Sequence, residues 1–136
     1  MTFDALFIPH DFSKRPAQVR IYNVDQLNQL VQGQPERAVY DYDAETWMNA
    51  NGIEQGLPRN LGASGFSAQY TAAGRQFEAK NGRPPNIGLH GNVVITGNHF
   101  TDVPQRILDE FPNKTTMNVN ELIEDLSHGH GRGHGY

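Results

Sequence analysis

Val93, Val94 and Ile95 follow one another without a polar break inside IGLHGNVVITG, residues 87–97. Neighbouring side chains on a strand point to opposite faces, so an uninterrupted apolar run needs cover on both sides. The segment predicts a strand lying centrally in a sheet, and the rest of the chain must supply what surrounds it. Just upstream, Pro84 and Pro85 lack backbone donors and push the preceding residue toward extended geometry, so RPPN separates this strand from the element before it.

Surrounding elements follow from the same periodicities. ALFIPH (5–10) and AQVRIYNV (17–24) read as β-rich runs joined through DFSKRP, hence a hairpin. Val24, Leu27, Leu30 and Val31 form the apolar stripe of a short helix over 25–32, with Asn23 as its cap and Gly33 as its stop. RAVYDYD (37–43) alternates as a strand and turns tightly at Asp43-Ala44 into ETWMNA, a second hairpin. Phe66, Tyr70, Ala73 and Phe77 predict one long helix over 64–80, capped by Ser64 and ended by Asn81-Gly82. Two further amphipathic helices are expected, from about Asp102 to Phe111 and from about Val119 to Leu126, the second opened by Asn118 and Glu121 at capping-box spacing. The whole predicts a single α+β domain over 1–127, with about five strands in an antiparallel or mixed sheet packed by two helices. The two C-terminal helices follow, and residues 128–136, rich in His and Gly, form a tail expected to be disordered.

Length and composition limit the chemistry. A chain of 136 residues buries one core without staples, and with no cysteine it has no disulfide, no thiolate nucleophile and no cysteine-ligated zinc. The eleven Lys and Arg are scattered and outnumbered by fifteen carboxylates, so no nucleic-acid partner is expected. No apolar run approaches the roughly 20 residues of a membrane span, and the start lacks the basic and apolar regions of a secretory signal. Cytoplasmic residence is the expectation.

WMNANGIEQGLPRN, residues 47–60, is the stretch with the densest amide side chains. Asn51-Gly52, Gly56 and Pro58 suit tight turns. Asn49, Asn51, Arg59 and Asn60, with Arg75 on the following helix, offer donors and acceptors that do not titrate near neutrality, which suits recognition more than proton transfer. Both readings, structural turn and binding loop, stay open. His128, His130 and His134 are weak metal candidates set against a merely solubilising tail. His90 and His99 flank the central run and could meet His10, or act as hydrogen-bonded structural residues. Tyr40, Tyr42 and Trp47 read as sheet-face packing or as an aromatic platform. GASGF around Ser64 falls one residue short of a nucleophile elbow, no phosphate-loop or zinc motif occurs, and neither catalytic residue nor cofactor is expected.

The chain resembles the phage- and plasmid-encoded family known as domain of unknown function 3846. Asn49 and Gly52, then Gly56, Leu57, Pro58 and Asn60, and finally Gly91, Val93, Val94 and Gly97 carry the resemblance, which spans about residues 5–97. Ala50 and Asn51 stand where acidic residues are common in the family, and the helix after Asn60 is longer. The resemblance implies a mobile-element origin and a host-cytoplasm setting, with no reaction. The expected function is a noncatalytic binding module that inhibits or sequesters a host factor, in counter-defence or host takeover, with a host protein or a small nucleotide-like ligand as partner. The alternatives are a small metal-dependent or hydrolytic enzyme using His90 or His99, and a structural protein that forms homo-oligomers.

Overall fold

The computed structural model describes residues 2–132, with side chains described through Ser127. Strands β1 (Phe3–Ile8) and β2 (Ala17–Ile21) form the first hairpin, with Phe3 opposite Ile21 and Phe7 opposite Ala17. Helix α1 (Val24–Val31) follows, its first turn capped where Asn23 Oδ1 accepts the Gln26 N–H at 3.1 Å. Its left-handed terminus is Gln32, φ 62°, and not the expected Gly33. The glycine serves another need, since a Cβ there would lie 2.6 Å from Asn49 Nδ2.

The second hairpin pairs β3 (Pro35–Arg37) with β4 (Ala44–Asn49), Pro35 facing Asn49 and Arg37 facing Trp47. RAVYDYD is therefore strand only at its start, and residues 38–43 form the connection. Helices α2 (Leu61–Tyr70) and α3 (Ala72–Asn81) replace the single helix expected over 64–80. Thr71, with φ −94° and ψ 162°, is extended and breaks them. Its Oγ1 donates to Ser67 O at 2.6 Å and accepts the Gly74 N–H at 3.1 Å, so one hydroxyl ends α2 and caps α3. Gly82, φ 75°, closes α3 as the sequence indicates.

Strand β5 (Val93–Gly97) is followed by α4 (Gln105–Asp109), β6 (Thr115–Met117) and α5 (Val119–Arg132). The sheet has six strands in the order β3-β4-β5-β1-β2-β6, mixed because β6 alone runs parallel to its neighbour, β2. Asn118 Oδ1 accepts the Asn120 N–H and caps α5. The helical backbone of α5 runs past Ser127 into the stretch 128–136, expected as a tail, and reaches Arg132. His134 and the side chains of His128 and His130 lie outside the described residues.

Alternation along the strands sorts two cores. Phe3, Ala5, Phe7, Val19, Ile21 and Val94 face one side, where Leu27, Leu30 and Val31 of α1 and Val119 and Leu122 of α5 cover them. Leu6, Ile8, Val93 and Ile95 face the other, beneath Phe66 of α2 and Ile107 and Leu108 of α4. Adjacent residues of β5 thus enter opposite cores, as the unbroken Val93-Val94-Ile95 run requires, and full burial of each such side chain stabilises by roughly 2 kcal/mol. Among the described residues no helix is long and apolar enough to cross a membrane.

Candidate functional site

The amide-rich bend is not the exposed grip that its composition suggests. Asn49 and Asn60 are both wholly buried. Asn49 ends β4 and donates from Nδ2 to Gln32 O at 2.9 Å, while its Oδ1 accepts the Asn51 N–H at 2.8 Å. Asn60 donates to Ile8 O and Gly91 O, each at 2.9 Å, and its Oδ1 accepts the Ala63 N–H, so it and not Ser64 caps α2. Ser64 sits buried within that helix and accepts the Leu89 N–H instead. Arg59 is exposed but occupied locally, donating to Asn86 Oδ1 at 2.8 Å and Ile87 O at 3.1 Å. Asn51 is exposed, its backbone carbonyl holding the Gln55 N–H. Arg75 is exposed on α3. The five residues therefore do not form one surface, because two of them are spent on backbone.

The motif glycines follow the same logic. Gly91, φ 80°, lets Leu57 pack where a Cβ would meet Leu57 Cδ1 at 2.8 Å, and Gly97 lies against the backbone of Thr101 and Asp102 with no room for a side chain. Leu57, Asn60 and Gly91 here join the bend to β1, α2 and the segment entering β5.

The histidines are also apart. His10 lines a cleft beside α5, His99 lines a cleft on the far side of the sheet, and His90 Nδ1 lies 3.1 Å from Leu57 O. Among the described residues no three His, Cys, Asp or Glu side chains are placed to hold a metal ion.

What the structure does display is the connection 38–43. Tyr40 and Tyr42, expected on a strand, are 59% and 69% exposed, and their rings meet edge to face with centroids 5.9 Å apart. Exposed aromatics on a free loop would be expected to collapse inward, yet this loop is held at nearly every residue. Ala38 N–H donates to Thr46 O, Ala73 N–H donates to Tyr40 O at 3.1 Å, and Asn98 Nδ2 donates to Tyr42 O at 2.9 Å. Between the tyrosines Asp41 turns inward, where its Oδ1 accepts the Tyr42 and Ala72 N–H groups. Its Oδ2 takes Arg106 Nη2 at 2.9 Å, and the same guanidinium of α4 also clasps Asp43. Asp41 thus joins the loop to the α2–α3 junction and, through Arg106, to α4.

The opposite wall is a turn at Asn98–Thr101, which continues β5. His99 and Phe100 have φ of 57° and 58°, a left-handed pair that costs non-glycine residues of order 1–3 kcal/mol each. Phe100 offsets this by stacking on Trp47 at 5.5 Å and touching Phe3, while the His99 N–H donates to Glu45 Oε1 at 3.0 Å. The turn leaves the His99 side chain exposed, beside a cleft of about 490 Å³ that Tyr40, Tyr42, Arg37, Glu45 and Asn98 also line. One signal for this loop was present in the sequence: Asp41 and Asp43 are poor strand residues and good turn residues, and they interrupt the tyrosine alternation.

Comparison with protein-family models, with curated proteins and with solved structures finds no match to this chain.

Charge reinforces the clasp. Hydrogen bonds from Arg106, ahead of the opposing cost of burial, hold the Asp43 carboxyl below the ordinary 3.8, and the same contacts with Asp43 and then Asp41 raise the guanidinium's pKa. A carboxyl whose folded value is depressed contributes stability above its unfolded value and loses it as pH falls through the folded one. The Asp43 contribution is thus intact at neutrality and fades below 3.8. Arg106→Met is expected to cost about 2 kcal/mol, because the Asp41 carboxylate keeps its backbone donors but loses its cation in a buried position. The variant should also lose less stability than wild type between neutrality and about pH 3. Denaturant titrations at the two pH values check both.

Proposed function

We propose that the protein is a noncatalytic binding module whose contact surface is the tyrosine loop 38–43 with the adjoining His99 turn. The observation that carries this reading is the pair Tyr40 and Tyr42, exposed and yet fixed by backbone bonds on both sides. Tyrosine dominates the energetic centres of protein interfaces, and a loop ordered before binding loses less entropy on association. An open cleft with aromatic, amide and charged walls suits a protein surface, which favours a host protein over a small nucleotide-like ligand. Of the amide-and-arginine set, Arg75 stands one position before Gln76, whose amide reaches Tyr42 Oη at 3.4 Å.

The resemblance to domain of unknown function 3846 supports a mobile-element origin, and with it the inhibition or sequestration of a host factor in the host cytoplasm. Capture from host lysate with three forms of the protein tests the surface. Tyr40→Ala/Tyr42→Ala is expected to lower capture of the partner at least about tenfold, with little change in folding because both rings are already in solvent. Asn51→Ala/Arg59→Ala is expected to capture as wild type does. The reverse pattern would overturn the assignment.

A further inference from the structure

Three described residues other than glycine are held in the left-handed region, Gln32 at φ 62°, His99 at 57° and Phe100 at 58°. Glycine would take each position without strain, so each of these side chains needs a reason to be there. Gln32 has one. Its Oε1 accepts from Nδ2 of the buried Asn92 at 3.4 Å, a bond glycine could not make. Phe100 has another, since its ring stacks on Trp47 at an interplanar angle of 11° and packs against the core beside Phe3.

His99 has no reason of this kind. Among the described residues its ring makes no hydrogen bond, ion pair or aromatic contact. The bond that residue 99 donates to Glu45 Oε1 comes from the backbone N–H, which glycine would keep. Two left-handed residues in succession are the backbone of a type I′ turn, where Asn and Gly are the usual pair. The surrounding turn is closed by the Gly97 N–H on Thr101 O at 2.8 Å and by the Thr101 hydroxyl on Asn98 O at 2.6 Å, and neither bond uses the imidazole. Histidine tolerates the left-handed region better than most side chains, which makes it workable there without making it preferable to glycine. His99 is thus exposed, strained and without a structural task, and it stands in the wall of the cleft that Tyr40 and Tyr42 line. Backbone strain of this sort clusters at binding sites.

We infer that His99 is the specificity-determining contact of the tyrosine surface, its imidazole hydrogen-bonding to a polar group that the partner protein brings into the cleft. This rests on the reading of the tyrosine loop as the contact surface and adds the group that selects the partner. Aromatic rings supply contact area to many surfaces, whereas an imidazole buried on association rejects any surface that leaves its nitrogens unpaired.

Thermal unfolding and capture from host lysate, run on the full chain carrying His99→Gly, His99→Gln or Tyr40→Ala/Tyr42→Ala, test the assignment. His99→Gly relieves the strain and is expected to raise Tm by roughly 2–4 °C. The same variant should lower capture of the partner at least about fivefold. His99→Gln bears the same backbone strain but restores a donor and an acceptor, so its Tm should stay near that of wild type and its capture return to within about twofold. A fall in Tm with glycine would give the imidazole a structural task and overturn the proposal, as would capture unchanged by glycine or not recovered by glutamine. Capture lost in the tyrosine variant but kept in His99→Gly would overturn the role of His99 and leave the tyrosine surface standing; capture kept in both would overturn the two together.

Discussion

Asn60→Ala is expected to destabilise the protein by about 4 kcal/mol, an effect on folding and not on recognition. The estimate joins a lost helix cap, typically about 1 kcal/mol, to two buried carbonyls deprived of their donor at roughly 1–3 kcal/mol apiece. Ile8 O and Gly91 O are those carbonyls, and they belong to β1 and to the segment entering β5, so the residue ties α2 to the two central strands. Asn60→Asp separates the contributions. It keeps an oxygen for the Ala63 N–H and so preserves the cap, but it brings a carboxylate against the two carbonyls with no proton to give. Restored stability in the aspartate variant would mean that the cap alone matters; a loss at least as large as that of the alanine variant is expected. Equilibrium denaturation reads both.

Gly74→Ala is the second large effect, expected to cost about 3 kcal/mol although alanine is the better helix former. A Cβ at this position would sit 2.5 Å from Ser67 O and closer still to Ala68 O. Both are backbone atoms in the last turns of α2, so no side-chain rotation relieves the clash. The junction would have to open, and Asp41 with it, since the Ala72 N–H that the carboxylate accepts lies within the same turn. The tyrosine loop should therefore lose order. Faster amide exchange at Tyr42, Ala72 and Ala73 in the variant checks this, while exchange unchanged from wild type would detach the loop from the junction.

These two variants also show where the sequence was legible. The β1–β2 hairpin, α1 with its Asn23 cap, the central placement of β5 and the Gly82 stop each depend on local pattern, and each is present. The break at Thr71 is made by its own hydroxyl and held by Asp41, which accepts the Ala72 N–H from 31 positions upstream of that alanine, and neither helical period nor propensity registers such a partner. Asn60 and Ser64 are equally good caps by composition; the choice between them is made by Leu89, whose N–H claims the serine. Short β6 is a strand because β2 offers it an edge, with too few residues for alternation to register.

The candidate site was harder to read for a related reason. Asparagine in a bend has the same appearance whether its amide faces water or ties down backbone, and only the arrival of Ile8, Gln32 and Gly91 from distant segments decides that Asn49 and Asn60 face inward. The tyrosines differ from their pattern in the opposite sense. Alternation placed them on a strand, whereas Asp41, drawn to Arg106 and the start of α3, pulls the chain out of the sheet and leaves both rings in solvent. Density of hydrogen-bonding side chains was a weaker guide to an exposed surface than the acidic residues that interrupt an aromatic pattern.

Site-specific photocrosslinking addresses the central claim most directly. With p-benzoylphenylalanine placed singly at Tyr40, at Tyr42 and at Asn51, and the protein exposed to host lysate, the account predicts a common covalent adduct from positions 40 and 42 and none from position 51. An adduct from position 51 with none from the tyrosine positions would contradict it.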